Sequence, residues 1–304
     1  MDIRRLELLR ELAERGSVTA VAVATRRTAS AVSQQLKILE REAGIPLTER
    51  SGRGIVLTAA GRELARTAAD VATAIERAEA LWEDFRGQPR GEVTLTTFPT
   101  AGQMLLPGVL TAVARVPGLT LTCSDQDPLL PDSADLTSDF DIVLADSPGV
   151  LPRWTKRGLV VVQLMREPLD IALPERHPLA AKHSVSPADL VAETWIGVPL
   201  GFPFDRILRQ IEALNGSPAT IGQRFADNGI VESLVAAGHG IAILPRFTTR
   251  DHENGLVTRP LRDVRATRLI SALLRPDRAE RPSVRLVVDS LRTEAAAVLA
   301  QQTP

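Results

Sequence analysis

Residues 28–44 read TASAVSQQLKILEREAG. The segment opens on Thr28, whose hydroxyl can accept from the first free amides of a helix, and stops at Gly44, a residue that tolerates the left-handed turn ending one. Val32, Leu36 and Leu39 recur at i, i+4 and i+7, so one stripe of this helix faces a core. The opposite stripe carries Ser30, Ser33, Gln34 and Lys37, small and polar with one cation. Small residues near a helix start let that end approach another surface closely. Glutamine pairs bidentately with adenine, serine is tolerant, and lysine takes guanine or phosphate. The free amides behind Thr28 suit a phosphate. The face therefore fits a helix that reads base edges in a DNA groove, against the plainer alternative of a solvated polar surface.

The flanks support the first interpretation. Residues 45–58, IPLTERSGRGIVLT, suggest a two-stranded ribbon with its tip at 51–54. Arg50 and Arg53 in that ribbon are placed for backbone or minor-groove contact, which positions rather than specifies. Upstream, short helical patterns are divided by turns at 16–17 and 25–28. Three helices followed by a ribbon make a winged helix-turn-helix over residues 1–57. Between positions 26 and 53 six Lys/Arg face three acids, a local excess of +3 inside a chain whose formal charge is −1.

Thr58 is the expected cap of a long helix over 58–86. Leu64, Ala68, Val71, Ile75, Ala78, Trp82 and Phe85 step by 4 and 3 alternately, the spacing of a helix–helix seam. With an alanine-rich back face, Leu64, Val71, Ile75, Trp82 and Phe85 are expected to meet a second copy of the chain. A helix packed on its own protein is the competing account.

A breaker-rich joint at 87–91 precedes alternating strand-like and helix-like runs. Strands are expected at 93–97, 119–123, 141–145, 159–164, 169–173, 219–225, 241–245 and 269–274. Helices are expected at about 101–114, 204–214, 229–237 and 284–300. Such alternation makes open α/β sheets, whose ligands sit where strand ends meet helix starts.

Composition excludes several classes. Apolar residues are 44%, ordinary for a chain with a real core. The amino terminus has no apolar run like a signal peptide. The charge-free stretch 93–114 contains Pro99, Pro107, Gly102 and Gly108, which fits a buried strand–loop–helix better than a membrane span. A cytoplasmic protein without membrane contact is expected. Cys123 is the single cysteine, read as a small strand hydrophobe, so an internal disulfide is excluded. No glycine-rich phosphate loop, nucleophile elbow or paired-histidine metal motif is present, and His177, His183, His239 and His252 are scattered. Neither enzyme activity, cofactor nor metal is expected.

End to end the chain resembles the LysR-type transcriptional regulators. The match rests on GSVTAVA (16–22), SAVSQQLKILEREAGIPLTERSGRGIVLTAAG (30–61), REPLDIALPERHPLA (166–180), ETWI (193–196) and VESLVAAGHGIAILP (231–245). The resemblance implies a multidomain α plus α/β protein: a winged helix-turn-helix, a dimerisation linker helix, and a periplasmic-binding-protein-like effector domain over 91–304. Subdomain I would take about 91–160 and 268–304, subdomain II about 161–267. It implies double-stranded DNA with a pseudo-palindromic operator, a small-molecule effector, and a homodimer that pairs into a homotetramer. It also places Thr28, Ala29, Ser30, Ser33, Gln34 and Lys37 at DNA. One departure stands out: many relatives have Gln, then Pro or Ser, after the cap, where this chain has Ala29 and Ser30. The first contact position has lost its long amide. A peroxide-sensing dithiol, used in one branch, is excluded for want of a second cysteine.

In the effector domain, Phe98, Thr100 and Ala101 fall where the first strand gives way to a helix, a position that in the family commonly contacts effector. A hydroxyl with helix-start amides there suits a carboxylate. Gly201 and Phe202 in the loop VPLGFPF (198–204) and Asn228 at a helix start should face it from subdomain II. Phe204 is read either as pocket lining or as core. The alternative function, from another class, is a small-molecule binding protein whose head is a protein-interaction module.

Overall fold

The computed structural model describes residues 1–51, 54–86, 89–125, 132–250 and 255–301, with the side chains of 84–86 set aside. Arg53, His252 and the side chain of Phe85 therefore lie outside the described residues. The head consists of α1 (Ile3–Arg15), α2 (Val18–Ala24), α3 (Ala29–Ala43) and a ribbon of β1 (Thr48–Ser51) and β2 (Gly54–Leu57). Each helix begins at a side-chain cap: Asp2, Ser17 and Thr28 accept from Arg4, Ala20 and Ala31 amides. Gly44 ends α3 at φ 71°, a conformation costly for any side chain with a Cβ. Leu8, Leu9, Leu12, Val21, Val32, Leu36, Leu39, Leu47 and Leu57 form the head's own core.

The linker helix α4 (Ala59–Arg86) starts on Thr58, whose hydroxyl accepts from the Gly61 amide at 3.0 Å. Gly61 is required here, because a Cβ would lie 2.0 Å from the Leu47 carbonyl oxygen. The head is thereby seated directly on α4. Leu64, expected in the intermolecular seam, is half-buried and packs against the head core of its own chain.

Beyond α4 come β3 (Gly91–Thr97), α5 (Pro99–Val113), β4 (Leu119–Asp125), β5 (Ile142–Ser147), α6 (Pro152–Lys156), β6 (Val160–Pro174), β7 (Thr194–Gly197), α7 (Asp205–Asn215), β8 (Thr220–Arg224), α8 (Asn228–Ala236), β9 (Ala242–Pro245), β10 (Leu256–Pro260), β11 (Thr267–Leu274), α9 (Pro276–Glu280) and α10 (Pro282–Gln301). The main sheet runs β10-β6-β11-β5-β3-β4, with β9 also on β6, while β7 and β8 pair apart. β3 is parallel to β4 and β5; β11 is antiparallel to β5 and β6.

The two strands expected at 159–164 and 169–173 are one. β6 pairs through Val160–Pro168 with β11, then through Leu169–Pro174 with β9 and β10. The expected border at 160/161 therefore falls where this continuous strand begins, and the changeover between sheets comes at Pro168. Pro168 has no amide to give, which suits the point where a strand leaves one neighbour for others. Two cores flank the changeover. Val93, Leu95, Leu105, Val109, Ile142, Leu144, Ile270, Val287 and Leu291 pack in the first unit. Ile171, Leu173, Trp195, Phe204, Ile207, Ile211 and Ile241 pack in the second.

Candidate functional site

The exposed face of the head is built by α3 and the ribbon. Val32, Leu36 and Leu39 are buried, while Ala29, Ser30, Gln34, Lys37 and Arg41 are exposed and Ser33 is half-buried. Thr28 and Ser30 hydroxyls lie 3.1 Å apart beside the open helix start. Arg26 and Arg27, just before that end of α3, are exposed, as is Arg50 in the ribbon. Glu40, further along α3, is engaged by the ribbon. Its Oε1 accepts from the Leu47 amide at 2.9 Å, the Thr48 amide at 2.8 Å and the Thr48 hydroxyl at 2.9 Å, which fixes the ribbon against α3. The sequence-read positions Ala29, Ser30, Gln34 and Lys37 thus lie on the exposed side of α3, with Ser33 half-buried, and Arg50 is exposed on the neighbouring ribbon.

The second site lies between the two α/β units, at the C-terminal ends of β3 and β5. Phe98 follows β3, and α5 begins at Pro99, two residues earlier than the sequence suggested. Thr100 consequently lies inside the first turn and is not its cap. Its hydroxyl accepts from Arg268 Nη2 at 2.7 Å. The Arg268 guanidinium sits 5.0 Å from the Phe98 ring centroid and 5.3 Å from that of Phe204, one ring from each unit. Beneath it Glu167, fully buried, takes Arg268 Nε and Nη2 at 2.7 and 2.6 Å. Glu167 also accepts from the Phe247 amide at 3.1 Å. Arg268 and Glu167 are direct partners across β11 and β6, next to the changeover.

Two further charges face this centre. Asp146, at the end of β5, lies 4.0 Å from Arg268 with its side chain 14% exposed, and its Oδ2 is buried without a hydrogen-bond partner among the described residues. Burial pushes its carboxyl pKa up, against the lowering pull of Arg268 and Arg206. Arg206, from α7 in the second unit, donates to the Thr267 carbonyl. Burial lowers its pKa, while the Asp146 charge acts the other way and Arg166 adds to the lowering. Asp146, Glu167, Arg206 and Arg268 escaped the sequence reading. The available signal was a charge inside or just after an apolar run, as in LISALL preceded by Arg268 or the Asp146 that follows IVLA.

Of the other expected cleft residues, Phe202 packs edge-to-face on Phe204 with centroids 5.5 Å apart. Phe204 is both core and cleft wall, 3% exposed yet over Arg268. Ala101 is fully buried in the first core, so it presents no surface to a ligand. Gly201, at φ 83°, forms an exposed turn whose amide reaches Asp205 at 3.4 Å. Asn228 starts α8, capped by Asp227, and lines a cavity of about 10 Å³ with Trp195, Val198 and Phe204. That volume suits a single water.

A third polar cluster joins head to first unit. Arg275, immediately after β11, bonds Asp277 at 2.8 and 3.1 Å, Glu14 at 2.9 Å and Glu11 at 3.3 Å. Arg10 bonds Asp277 at 2.7 Å, and Arg15 reaches Glu11 at 2.6 Å, Asp139 at 2.8 Å and the Ser138 carbonyl at 2.8 Å. Burial alone would raise the Asp277 pKa, but the Arg275 and Arg10 hydrogen bonds and charges hold it at about 2. The same burial raises Glu14 despite Arg275.

Comparison with known proteins places these sites in a family. A family model described as LysR substrate binding domain matches residues 86–296. The chain belongs to the LysR family. A second model, described as bacterial regulatory helix-turn-helix protein, lysR family, matches residues 3–62. The protein is thus a DNA-binding transcriptional regulator of the LysR type, as the sequence motifs implied. It is 27% identical over 250 residues to the RuBisCO operon transcriptional regulator of Allochromatium vinosum, covering 82% of this chain and 80% of that one. Its fold is similar to full-length OxyR from Pseudomonas aeruginosa, with TM-score 0.66, 21% identity, and 96% and 95% of the two chains covered. A full-length CbnR complexed with its target DNA is similar with TM-score 0.53 and 22% identity over 97% of this chain and 100% of that one. Among the described residues no helix of this LysR-type chain is long and apolar enough to cross a membrane.

Proposed function

We propose that this regulator reads its operator with the first half of α3 and responds to a small molecule seated over Arg268. The head over 1–57 takes the DNA: Ala29, Ser30, Ser33, Gln34 and Lys37 toward base edges, the α3 start behind Thr28 toward a phosphate, and Arg50, with Arg53, toward the backbone. The observation that carries this assignment is the division of α3 into a buried apolar stripe and an exposed polar one, opened to solvent at its capped start. Titration of the full-length protein against duplexes carrying intact or scrambled palindromes, at two salt concentrations, tests it. Affinity should fall steeply with salt and survive only on the intact site.

The linker helix over 58–86 supplies self-association. Leu81 and Trp82 are 67% and 60% exposed, and Val71 and Ile75 remain half-buried on the same helix. A second copy of α4 would cover them, giving the twofold symmetry a palindrome requires. The effector domain, in this scheme 91–304, works by population shift. β11 links the two polar centres: Arg268 lies near its start at the cleft, and Arg275 follows its end at the head. Closing the units around a ligand moves Arg268 relative to Phe204. The strand carries that change to Arg275, which holds α1. Action on DNA in the cytoplasm is the setting this scheme requires.

A further inference from the structure

We infer that the effector of this cleft is a small zwitterionic amino carboxylate, its ammonium held by Asp146 and its carboxylate by Arg206. This rests on the proposal above that the effector sits over Arg268. Charge is the first support. Around the centre Arg268 and Arg206 bring two positive charges and Glu167 and Asp146 two negative ones, while Arg166 stands exposed at the rim. A balanced, poorly hydrated site suits a ligand that is itself balanced. A dianion or a diamine would leave unpaired charge where water cannot screen it.

Division of labour is the second support. Arg268 is already engaged, with Glu167 below it, Thr100 beside it and two rings against it. Asp146 is the opposite case. Its Oδ2 is a buried acceptor without a hydrogen-bond donor among the described residues, and Arg268 at 4.0 Å is too far to serve as one. Buried acceptors left unmatched call for a missing partner. The partner that suits an unmatched, buried carboxylate oxygen is a compact ammonium with several N–H bonds to give. Arg206 complements it from the facing unit. The bond from its Nη2 to the Thr267 carbonyl leaves the rest of the fork without a hydrogen-bond partner among the described residues, and the fork matches a carboxylate. The Thr100 hydroxyl, having accepted from Arg268, keeps its proton for the same carboxylate. Asp146 is on the first unit and Arg206 on the second, so one short ligand bonded to both would draw the units together. That gives the class its regulatory sense: only a molecule with both groups bridges the cleft.

The test uses full-length protein, with thermal shift and calorimetry against four sets of probes. These are the common α-amino acids, their desamino carboxylates, their decarboxylated amines, and short dicarboxylates. At least one amino acid should bind about tenfold or more tightly than its desamino carboxylate and its amine. Asp146→Asn should bring that amino acid down to the level of the desamino carboxylate while leaving the desamino carboxylate unchanged. Arg206→Met should weaken both. Asp146→Asn should not lower the melting temperature of the empty protein, since a desolvated charge is removed; Asp146→Glu, which keeps the charge, serves as the second variant and should retain part of the preference. Binding of a desamino carboxylate or dicarboxylate as tightly as any amino acid overturns the inference, and so does failure of every amino acid to bind. Thr100→Trp, which puts bulk beside Arg268, separates the two levels. If it abolishes binding of whichever probe is found while Asp146→Asn does not, the ligand class is wrong and the cleft stands. Binding unaffected by either variant places the ligand elsewhere.

Discussion

Replacing Arg275 with Met removes the centre of the cluster between head and first unit while keeping much of the side chain's length. Arg275 is 5% exposed and bonds three carboxylates, those of Asp277, Glu14 and Glu11. After the substitution Arg10 still holds Asp277 at 2.7 Å and Arg15 still holds Glu11 at 2.6 Å. Glu14 is then the acid stranded without its cation, and burial already disfavours its charged form. Removing one member of a buried ion pair costs about 3–5 kcal/mol. If the head lets go instead, water reaches Glu14, and the loss is capped at the free energy of docking. Either way the cooperative unit weakens, and with roughly 2–4 °C per kcal/mol the melting temperature should fall by about 10 °C. Scanning calorimetry reads the shift, and hydrogen exchange at α1 shows whether the head has come free. Adding Glu14→Gln to the Arg275→Met protein should restore part of the stability, because it removes the stranded charge. A single variant within about 0.5 kcal/mol of the original, or a double variant no better than the single, would refute this account of what holds the head.

Gln34→Ala should weaken operator binding by roughly 1–3 kcal/mol and relax preference at one base pair, checked by titration over operator variants. Val71→Asp places a charge in the proposed α4 seam, so light scattering should report a smaller species with reduced affinity for the palindrome. Thr100→Val removes an acceptor of Arg268, at about 1.5–3 kcal/mol for a bond to a charged group; thermal denaturation should show the loss even without ligand. Acid titration should expose Asp277. Its pKa in the folded protein, about 2, lies below the ordinary 3.8, so folding favours its ionised form. That contribution, on the order of 2 kcal/mol, is complete above the ordinary value and disappears as pH falls from about 4 to 2. Glu14 acts in the opposite sense: its raised pKa disfavours the folded state at higher pH, and protonation relieves this. Asp277→Asn should flatten the acid limb of stability measured between those pH values.

The head was legible because its instructions are local. Asp2, Ser17 and Thr28 sit beside the amides they cap, and Val32, Leu36 and Leu39 mark their own inward face. The effector domain was legible only as alternation. β6 was divided in two because Arg166, Glu167 and Pro168 look like a turn between apolar runs. In the structure Glu167 is buried by a partner 101 positions away, Arg268. No period or cap in the chain announces such a pairing. Thr100 and Phe98 were found from the strand-to-helix junction, but the two guanidinium groups and Asp146 that give the cleft its chemistry are contributed by β5, α7 and β11 and meet only after folding. The linker helix was legible by its spacing. Heptad spacing marked an apolar stripe on α4 but not how neighbours share it: Leu64, expected at a partner, is half-buried against the head core of its own chain.

The chain enters and leaves the second α/β unit at a single doorway. At that point the Leu169 amide donates to the Ala266 carbonyl at 2.9 Å, between two antiparallel strands paired as far as Pro168 and Thr267. Everything from 169 to 266 is therefore a cassette hung on one hairpin's open end. A two-residue turn spans such an end without disturbing the strands behind it. Excising the cassette and splicing in a turn would leave the head, α4 and the first sheet covalently whole. Exchanging it for the matching segment of a relative would replace α7 and Arg206 while retaining Asp146, Thr100 and Arg268. New ligand preferences can thus be grafted onto an unchanged operator specificity through one pair of adjacent joints.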